Sequence, residues 1–173
     1  RGYELRPCLQ GVAYVDYLEP LILLALNTGM RRGELFGLEW GSVDLEQRVL
    51  TVRATTAKSS HVRHIPLSEE AFSVLSRWHA ERTESVVVFP NKSGSRLTTI
   101  KTAWRNLMID AHITDFRFHD IRHHFASQLV MNGGDLNTVR ELLGHSGLKT
   151  TLRYAHLASE HKASVIGLLD KVS

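Results

Sequence analysis

The stretch HDIRHHFASQL, residues 119–129, places a histidine and an arginine three residues apart. Because an α-helix turns by about 100° per residue, His119 and Arg122 share one face if this stretch is helical. A guanidinium offers a planar pair of donors for two phosphate oxygens, and an imidazole can donate or move a proton. The pair therefore suits chemistry on a phosphodiester. An ordinary alternative stays open here, in which Arg122 forms a structural ion pair and His119 caps the helix.

The same stretch permits a different kind of site. His119 and His123 have the i, i+4 spacing of zinc ligands on a helix. However, the glutamate that follows the first histidine in such metalloproteases is absent, Arg122 would repel a cation, and the sequence holds a single cysteine, Cys8. We therefore expect neither a metal site nor a cofactor.

Composition limits the class of protein. The chain has 173 residues, of which 43% are hydrophobic and 23% charged, the balance of one globular domain. Its net charge of +3 permits a polyanionic partner without requiring one. No apolar run is long enough to cross a bilayer, we expect no signal peptide, and a lone cysteine fits a reducing cytoplasm.

Hydrophobic periodicity predicts a helix-rich α+β domain with one small sheet, whose elements must position the candidate residues. Gly, Pro and capping residues divide these elements. The expected helices span residues 17–27, 31–40, 68–80, 97–112, 119–131 and 135–143, with two short helical stretches after them. The expected strands lie within residues 48–67, as a pair joined by a turn at 57–60, and at 85–90, where Pro90 ends a third strand.

Four motifs in this order resemble the signature of the tyrosine recombinase, or phage integrase, family in its catalytic domain. They are TGMRRGEL (28–35), HDIRHHFASQL (119–129), LLGHSGLKTT (142–151) and RYAH (153–156). Each motif recurs by chance, but four in family order and spacing form a specific constellation that covers about residues 14–160. The resemblance implies a DNA breaking-rejoining fold, mainly α-helical with a small three-stranded antiparallel sheet.

The resemblance also implies which residues carry the chemistry. Its catalytic set maps onto Arg31, Lys58, His119, Arg122, His145 and the nucleophile Tyr154. Supporting positions around that set are Glu34, Asp120, Gly144 and His156, and candidates for contact with DNA phosphates are Arg32, Lys149 and Arg153. His124 departs from the small hydroxyl residue that is common in the family, and its expected direction is away from His119.

A physical argument supports those roles. Two arginines can hold the charge that develops on a phosphate under attack, and His145 can hydrogen-bond a nonbridging oxygen. A tyrosine with its ordinary pKa near ~10 needs activation, which nearby cations and proton transfer to His119 would supply. The departing sugar oxygen needs an acid, for which Lys58 in the hairpin turn is the candidate.

The function implied is site-specific DNA recombination through a covalent 3′-phosphotyrosyl intermediate, independent of metal and ATP. Three alternatives stay open. A type IB topoisomerase would use a closely similar catalytic set, a non-catalytic relative would only bind DNA, and a metal-dependent phosphodiesterase would lose its activity in chelator.

The expected organisation and partners also come from the resemblance. Residues 1–173 are expected to form one catalytic domain of a longer protein, whose N-terminal core-binding domain is absent here. Residues 157–173 carry an apolar stripe that either covers its own domain or is exchanged between subunits. The expected partners are double-stranded DNA with core sites, three further copies in a homotetramer on DNA, and optional directionality or accessory DNA-bending proteins. The isolated chain is expected to be a monomer, in the cytoplasm at the nucleoid and away from membranes.

Overall fold

The computed structural model describes residues 13–53, 62–81 and 85–158. Over these ranges the α-helices are α1 (Leu18–Thr28), α2 (Arg32–Phe36), α3 (Glu69–Glu81), α4 (Lys101–Asp110), α5 (Asp120–Met131), α6 (Leu136–Leu143) and α7 (Leu148–Thr151). The strands are β1 (Val43–Asp44), β2 (Val49–Val52) and β3 (Arg63–Pro66), and two 3₁₀ helices span Trp40–Ser42 and Leu152–Ala158. Among these helices none combines the length and the apolar character needed to cross a membrane.

The sheet is antiparallel with the order β1-β2-β3. Val43 lies opposite Leu50, and Leu50 lies opposite Ile65. Leu50 and Ile65 are buried on one face, as expected where one side of a small sheet covers the core. The predicted α+β class and the β2–β3 pair are thus confirmed, while the predicted turn at 57–60 lies outside the described residues.

The prediction of a strand at residues 85–90 is wrong, because β1 is the third strand of the sheet. The segment makes only an isolated bridge between Glu39 and Val87 and a second one at its end. The indole of Trp78 donates to the carbonyl of Val88 (2.6 Å), and Val88 is fully buried. The segment is therefore tied to α3 by a side chain, and the ladder does not extend along it.

The start of α3 and both ends of α6 coincide with the predicted capping residues. The Ser68 hydroxyl accepts a main-chain N–H of the first turn of α3 (3.2 Å). The Asp135 carboxylate accepts the N–H groups of Asn137 and Thr138, both at 2.9 Å, at the start of α6. Gly144 ends α6 in the left-handed conformation, with φ 63°. These contacts satisfy N–H groups that have no partner within the helix.

Two helices are shorter than their predicted spans. The segment predicted at 97–112 is helical only over Lys101–Asp110. Leu97 and Ile100, which precede this helix, belong to an irregular stretch, although their side chains are buried in the core. The segment predicted at 31–40 stops at Phe36, where Gly37 is the C-cap, and Trp40 begins a 3₁₀ turn. In both segments the apolar pattern predicts one continuous helix, whereas the helix is interrupted between the apolar residues.

Two hydrophobic cores hold these elements together. The larger core lies between α1, α3 and the sheet and includes the fully buried Leu21, Trp78 and Phe89. The smaller core lies between α5, α6 and the second 3₁₀ helix and includes Phe125, Val130, Val139, Leu143 and Tyr154. Because α5 and α6 pack against each other through this smaller core, the core sets the position of the residues that line it.

Gly29 joins α1 to the smaller core. It ends α1 with φ 58°, and a Cβ added to it would lie 2.3 Å from Cδ1 of Phe125 and 3.0 Å from Cδ2 of Leu143. Both the left-handed backbone and the close approach of α5 require a residue without a side chain.

We predict that Gly29→Ala lowers the free energy of unfolding by about 2–4 kcal/mol, because it combines left-handed strain with overpacking. Urea unfolding followed by circular dichroism measures the change. Gly33→Ala is the matched control: an added Cβ there meets nothing within 4 Å, so its effect should stay within about 1 kcal/mol. Equal effects of the two substitutions would contradict the role assigned to Gly29.

Candidate active site

Two guanidinium groups are bound at the carboxyl end of α6. Arg63 on β3 donates through Nε to the carbonyl of Leu142 (2.8 Å), and Arg31 donates through Nη2 to the carbonyl of Gly144 (3.0 Å). The last carbonyls of a helix have no partner within the helix and carry partial negative charge. They therefore fix the two cations without cancelling their charge.

Arg122 is bound to the same helix end from α5. It donates to the carbonyl of Leu143 and, through Nη1, to the carbonyl of Gly29 (2.6 Å). Its side chain is buried, with only 4% of the residue exposed. Burial first, and then the charge of Arg31, lowers the pKa of Arg122 to about 9, which still leaves it protonated at neutral pH.

A single buried carboxylate, Glu34 on α2, lies among these guanidinium groups. It accepts a bidentate pair from Arg63 at 3.0 and 2.7 Å, and it accepts the Nη1 group (3.0 Å) and the main-chain N–H (2.7 Å) of Arg31. Burial acts to raise the pKa of Glu34, but the hydrogen bonds and charge of Arg63 outweigh it, so the pKa is lowered. Three guanidinium groups against one carboxylate leave two positive charges, so the cluster is suited to bind an anion.

Two histidines lie within the field of this cluster. His145 follows α6 and is half-buried, and its Nδ1 is 2.9 Å from the hydroxyl of the fully buried Thr151. Burial and then Arg122 lower the pKa of His145 to about 4. His119 is the more exposed N-cap of α5, and its pKa is lowered by the same two causes in the same order. Both imidazoles are therefore neutral near pH 7.

Tyr154 lies in the 3₁₀ helix Leu152–Ala158 and packs into the smaller core, where 5% of it is exposed. Its hydroxyl oxygen is 2.6 Å from Nδ1 of His123 on α5. Burial raises the pKa of Tyr154, against the opposing charges of Arg153 and Arg122. The tyrosine thus lies beside the arginine cluster of its own chain.

Most residues predicted from the motifs meet at this one place. The structure brings together Arg31, Glu34, His119, Arg122, Gly144, His145 and Tyr154. Lys58 lies outside the described residues. The remaining predicted residues, other than Asp120, are exposed around the cluster: Arg32, Lys149, Arg153 and His156.

Asp120 has a different role from its neighbours on α5. It accepts the main-chain N–H of Arg117 at 2.8 Å and pairs with the exposed Arg117 guanidinium at 3.2 Å. These hydrogen bonds lower the pKa of Asp120. The carboxylate therefore ties the preceding loop to the start of α5. His124, on the same helix, is exposed, consistent with its expected direction away from His119.

Three residues of the site were not predicted from the motifs: Arg63, His123 and Thr151. Arg63 lies in a basic stretch for which the sequence predicts a strand but no place in the catalytic set. His123 was considered only as a zinc ligand, whereas its ring packs edge-on against that of His119, 5.1 Å between centroids, and faces Tyr154. Within the described ranges, no three His, Cys, Asp or Glu side chains lie close enough together to hold a metal ion. The available signal for Arg63 was its place two residues before the buried Ile65, on the same face of β3.

Comparison with known proteins agrees with this geometry. The phage integrase family model matches residues 13–161. The chain is 31% identical over 166 residues to the integrase of Salmonella phage P22, which covers 90% of the chain and 43% of that integrase. It is 35% identical over 167 residues to the tyrosine recombinase XerC of Pseudomonas aeruginosa, covering 91% of the chain and 54% of XerC. The chain thus spans about half the length of these relatives.

Solved structures give the same result. The Tn1549 transposon integrase, in complex with circular intermediate DNA, superposes with a TM-score of 0.70 at 25% identity, over 78% of this chain and 54% of that one. The catalytic domain of bacteriophage HP1 integrase gives 0.64 at 30% identity, over 86% and 79%. The fold is therefore that of the tyrosine recombinase catalytic domains. The chain belongs to the phage integrase family.

We predict that Arg63→Met lowers the free energy of unfolding by about 3–5 kcal/mol, because the buried Glu34 carboxylate loses its bidentate partner. The side chains of Arg63 and Glu34 are 9% and 7% exposed. The matched control is Arg117→Met, which removes a pair whose arginine is 82% exposed and screened by water, so it should leave the stability close to that of the parent chain. Chemical unfolding of the variants measures both, and similar losses would contradict the importance of the buried pair.

The lowered pKa of His145 predicts a loss of stability in acid. The folded protein favours the neutral imidazole, so this contribution is complete above pH 6.5 and is lost as the pH falls from 6.5 towards about 4. His145→Asn should therefore reduce the fall in the urea midpoint between about pH 7 and about pH 5. The exposed His124→Asn is the control and should keep the full fall. The same fall in all three proteins would refute the prediction.

Proposed function

We propose that the chain is the catalytic domain of a site-specific DNA recombinase, which cleaves and rejoins strands through Tyr154. The observation that carries this proposal is a tyrosine hydroxyl packed against α5 and acted on by the charge of Arg122, one of the three guanidinium groups fixed at the end of α6. A phosphodiester is an anion, and its negative charge can pair with the net positive charge of this cluster. Membership of the phage integrase family and the names of the relatives, integrase and tyrosine recombinase, support recombination as the reaction.

Arg31 and Arg122 are proposed to bind the nonbridging oxygens. Attack on phosphorus concentrates negative charge on these oxygens, and donors that are fixed beforehand stabilise it most. Arg122 uses two hydrogen bonds to main-chain carbonyls, out of five N–H groups in a guanidinium, and so keeps donors for a ligand. Arg31, whose side chain is 39% exposed, is the more accessible of the two. Glu34 holds Arg31 in place, and Arg63 holds Glu34. Both are therefore proposed to act on the substrate only indirectly.

His145 is proposed to donate a third hydrogen bond to the phosphate. If the Thr151 hydroxyl donates to Nδ1 of His145, the neutral ring carries its proton on Nε2, where it can meet an anion. His119 at the start of α5 is proposed to contact the same phosphate, since Arg122 and Arg31 both act on its pKa. The exposed Arg32, Lys149 and Arg153 are proposed to contact neighbouring phosphates of the duplex.

The covalent link explains why a tyrosine serves better than activated water. Tyr154 attacks phosphorus and forms a 3′-phosphotyrosyl bond, while the 5′-hydroxyl of the other fragment leaves with a proton from Lys58. The phosphotyrosine keeps the energy of the broken ester, so a second strand's hydroxyl can attack it and reseal DNA without ATP. This exchange between sites distinguishes recombination from simple relaxation of supercoils.

The proposed partner is double-stranded DNA, since the related Tn1549 integrase is described in complex with DNA. Four copies assembled on two sites, with residues 157–173 exchanged between neighbours, would complete the reaction, and accessory DNA-bending proteins would set its direction. Residues 159–173 of that tail lie outside the described residues. The reaction places the protein with its DNA, in the bacterial cytoplasm.

We predict that Tyr154→Phe abolishes covalent attachment to DNA, because phenylalanine has no oxygen to form the ester. The probe is a pool of duplexes of randomised sequence with a nick in one strand, so that the short fragment bearing the freed 5′-hydroxyl dissociates and the adduct accumulates. Denaturing gels detect the adduct, and mass spectrometry locates the modified residue. Tyr14→Phe, at another buried tyrosine, is the control and should form adducts as the parent chain does. Adducts formed by Tyr154→Phe would overturn the assignment.

A further inference from the structure

The hydroxyl of Tyr154 contacts His123, not the His119 to which the motifs assign its proton. The distance from the hydroxyl oxygen to Nδ1 of His123 is 2.6 Å, and the two rings are 6.0 Å apart at their centroids. We propose that His123 is the catalytic base that accepts the Tyr154 proton during attack. This inference rests on the proposed function, and it assigns a residue that neither the motifs nor the arginine cluster identified.

The position of His123 on α5 favours this role. Arg122 precedes His123 on the same helix. Phe125 and Ala126, one turn further along α5, are buried in the smaller core and fix the orientation of the helix. Consecutive residues of a helix diverge by about 100°, so Arg122 reaches the end of α6 while His123 faces the 3₁₀ helix that carries Tyr154. One rigid element therefore fixes both the phosphate donor and the proton acceptor.

Burial, together with the balance of nearby charges, favours the neutral ring of His123. Partial burial lowers its pKa first, followed by His119, Arg153 and, more weakly, Arg122, while Asp120 acts in the opposite direction. A neutral ring has one nitrogen without a proton, and a hydroxyl can donate to it. With Nδ1 as acceptor, the ring proton lies on Nε2, and the Tyr154 hydroxyl donates along the observed hydrogen bond.

The step then balances as follows. The O–H bond of Tyr154 breaks, its proton passes to Nδ1 of His123, and the oxygen electron pair forms the bond to phosphorus. The bond between phosphorus and the 5′-oxygen breaks, and that oxygen takes the proton of Lys58. On rejoining, the incoming hydroxyl returns its proton to Lys58, and His123 returns its proton to the departing tyrosine.

Two substitutions of His123 separate catalysis from positioning. His123→Asn keeps a hydrogen-bond acceptor near the tyrosine but no base, and His123→Ala removes both. The exposed His124→Ala, next along α5, is the matched control. The assay is the single-turnover rate of adduct formation on one nicked duplex selected from the randomised pool, with DNA affinity and thermal unfolding measured in parallel.

We expect both His123 variants to slow adduct formation by about 10²-fold or more, while His124→Ala stays near the parent rate. A duplex with sulfur in place of the bridging 5′-oxygen has a leaving group that needs no acid. It should restore the rate of Lys58→Ala but not that of either His123 variant. The parent rate should also rise with pH as His123 loses its proton, and this rise should be absent in His123→Asn.

Parent rates in His123→Asn, or rescue of the His123 variants by the sulfur substrate, would overturn the role of base. A slow variant with normal folding and DNA affinity would exclude a merely structural effect and support the role of base. If both variants are slow because they have lost their fold, that result would count against the role of base. Absence of adducts from the parent chain itself would instead refute the proposed function, so the two failures are distinguishable.

Discussion

The site depends on how three positive charges are held close together without being cancelled. Like charges repel, and burial of a guanidinium such as Arg122 is costly unless its N–H groups are satisfied. The carbonyls at the end of α6 solve this problem, because they accept hydrogen bonds from Arg31, Arg63 and Arg122 but contribute only partial negative charge. One carboxylate, Glu34, would neutralise a single guanidinium. The remaining positive charge is available to a ligand.

This arrangement explains why residues from distant parts of the sequence must fold together. Arg31 follows α1, Arg63 lies on β3 and Arg122 on α5, yet all three end at residues 142–144. Gly29 and Gly144 are the two positions where the chain adopts a left-handed conformation to bring a carbonyl to these groups. A change in the packing of α6 would therefore move all three cations at once, so the stability of the smaller core and the geometry of the site are linked.

The sequence was sufficient to predict the elements that carry strong local signals. Helices with capping residues, such as those that begin after Ser68 and Asp135, and the β2–β3 pair were found because propensity and pattern agreed. The prediction of a strand at 85–90 is wrong because its apolar, β-branched residues fit any buried extended chain, whereas tertiary contacts with Trp78 and with the main chain of Leu38 and Trp40 decide its place.

The same distinction applies to the site. Motif order predicted which of the principal residues meet, including Arg31, Arg122, His145 and Tyr154. It did not assign roles to Arg63, His123 or Thr151, because those roles come from tertiary contacts with Glu34, Tyr154 and His145 that motif order does not encode. An i, i+4 pair of histidines is equally compatible with a metal site and with a ring contact, and the spacing alone does not decide between them.

The pKa directions around Tyr154 also constrain when it can react. Burial raises the pKa of the hydroxyl, and burial with neighbouring charges lowers the pKa of His123, so both oppose proton transfer in the structure as it stands. Transfer between the two creates a tyrosinate and an imidazolium, and the field of the arginines favours the first while it disfavours the second. Neither ion is therefore favoured before DNA is bound. If His123 is the base, the proton moves only as the charge on the tyrosine oxygen passes to phosphorus, where Arg31 and Arg122 can hold it. On that reading the hydrogen bond to His123 sets the path of the proton, and the bound phosphate supplies the place for the charge.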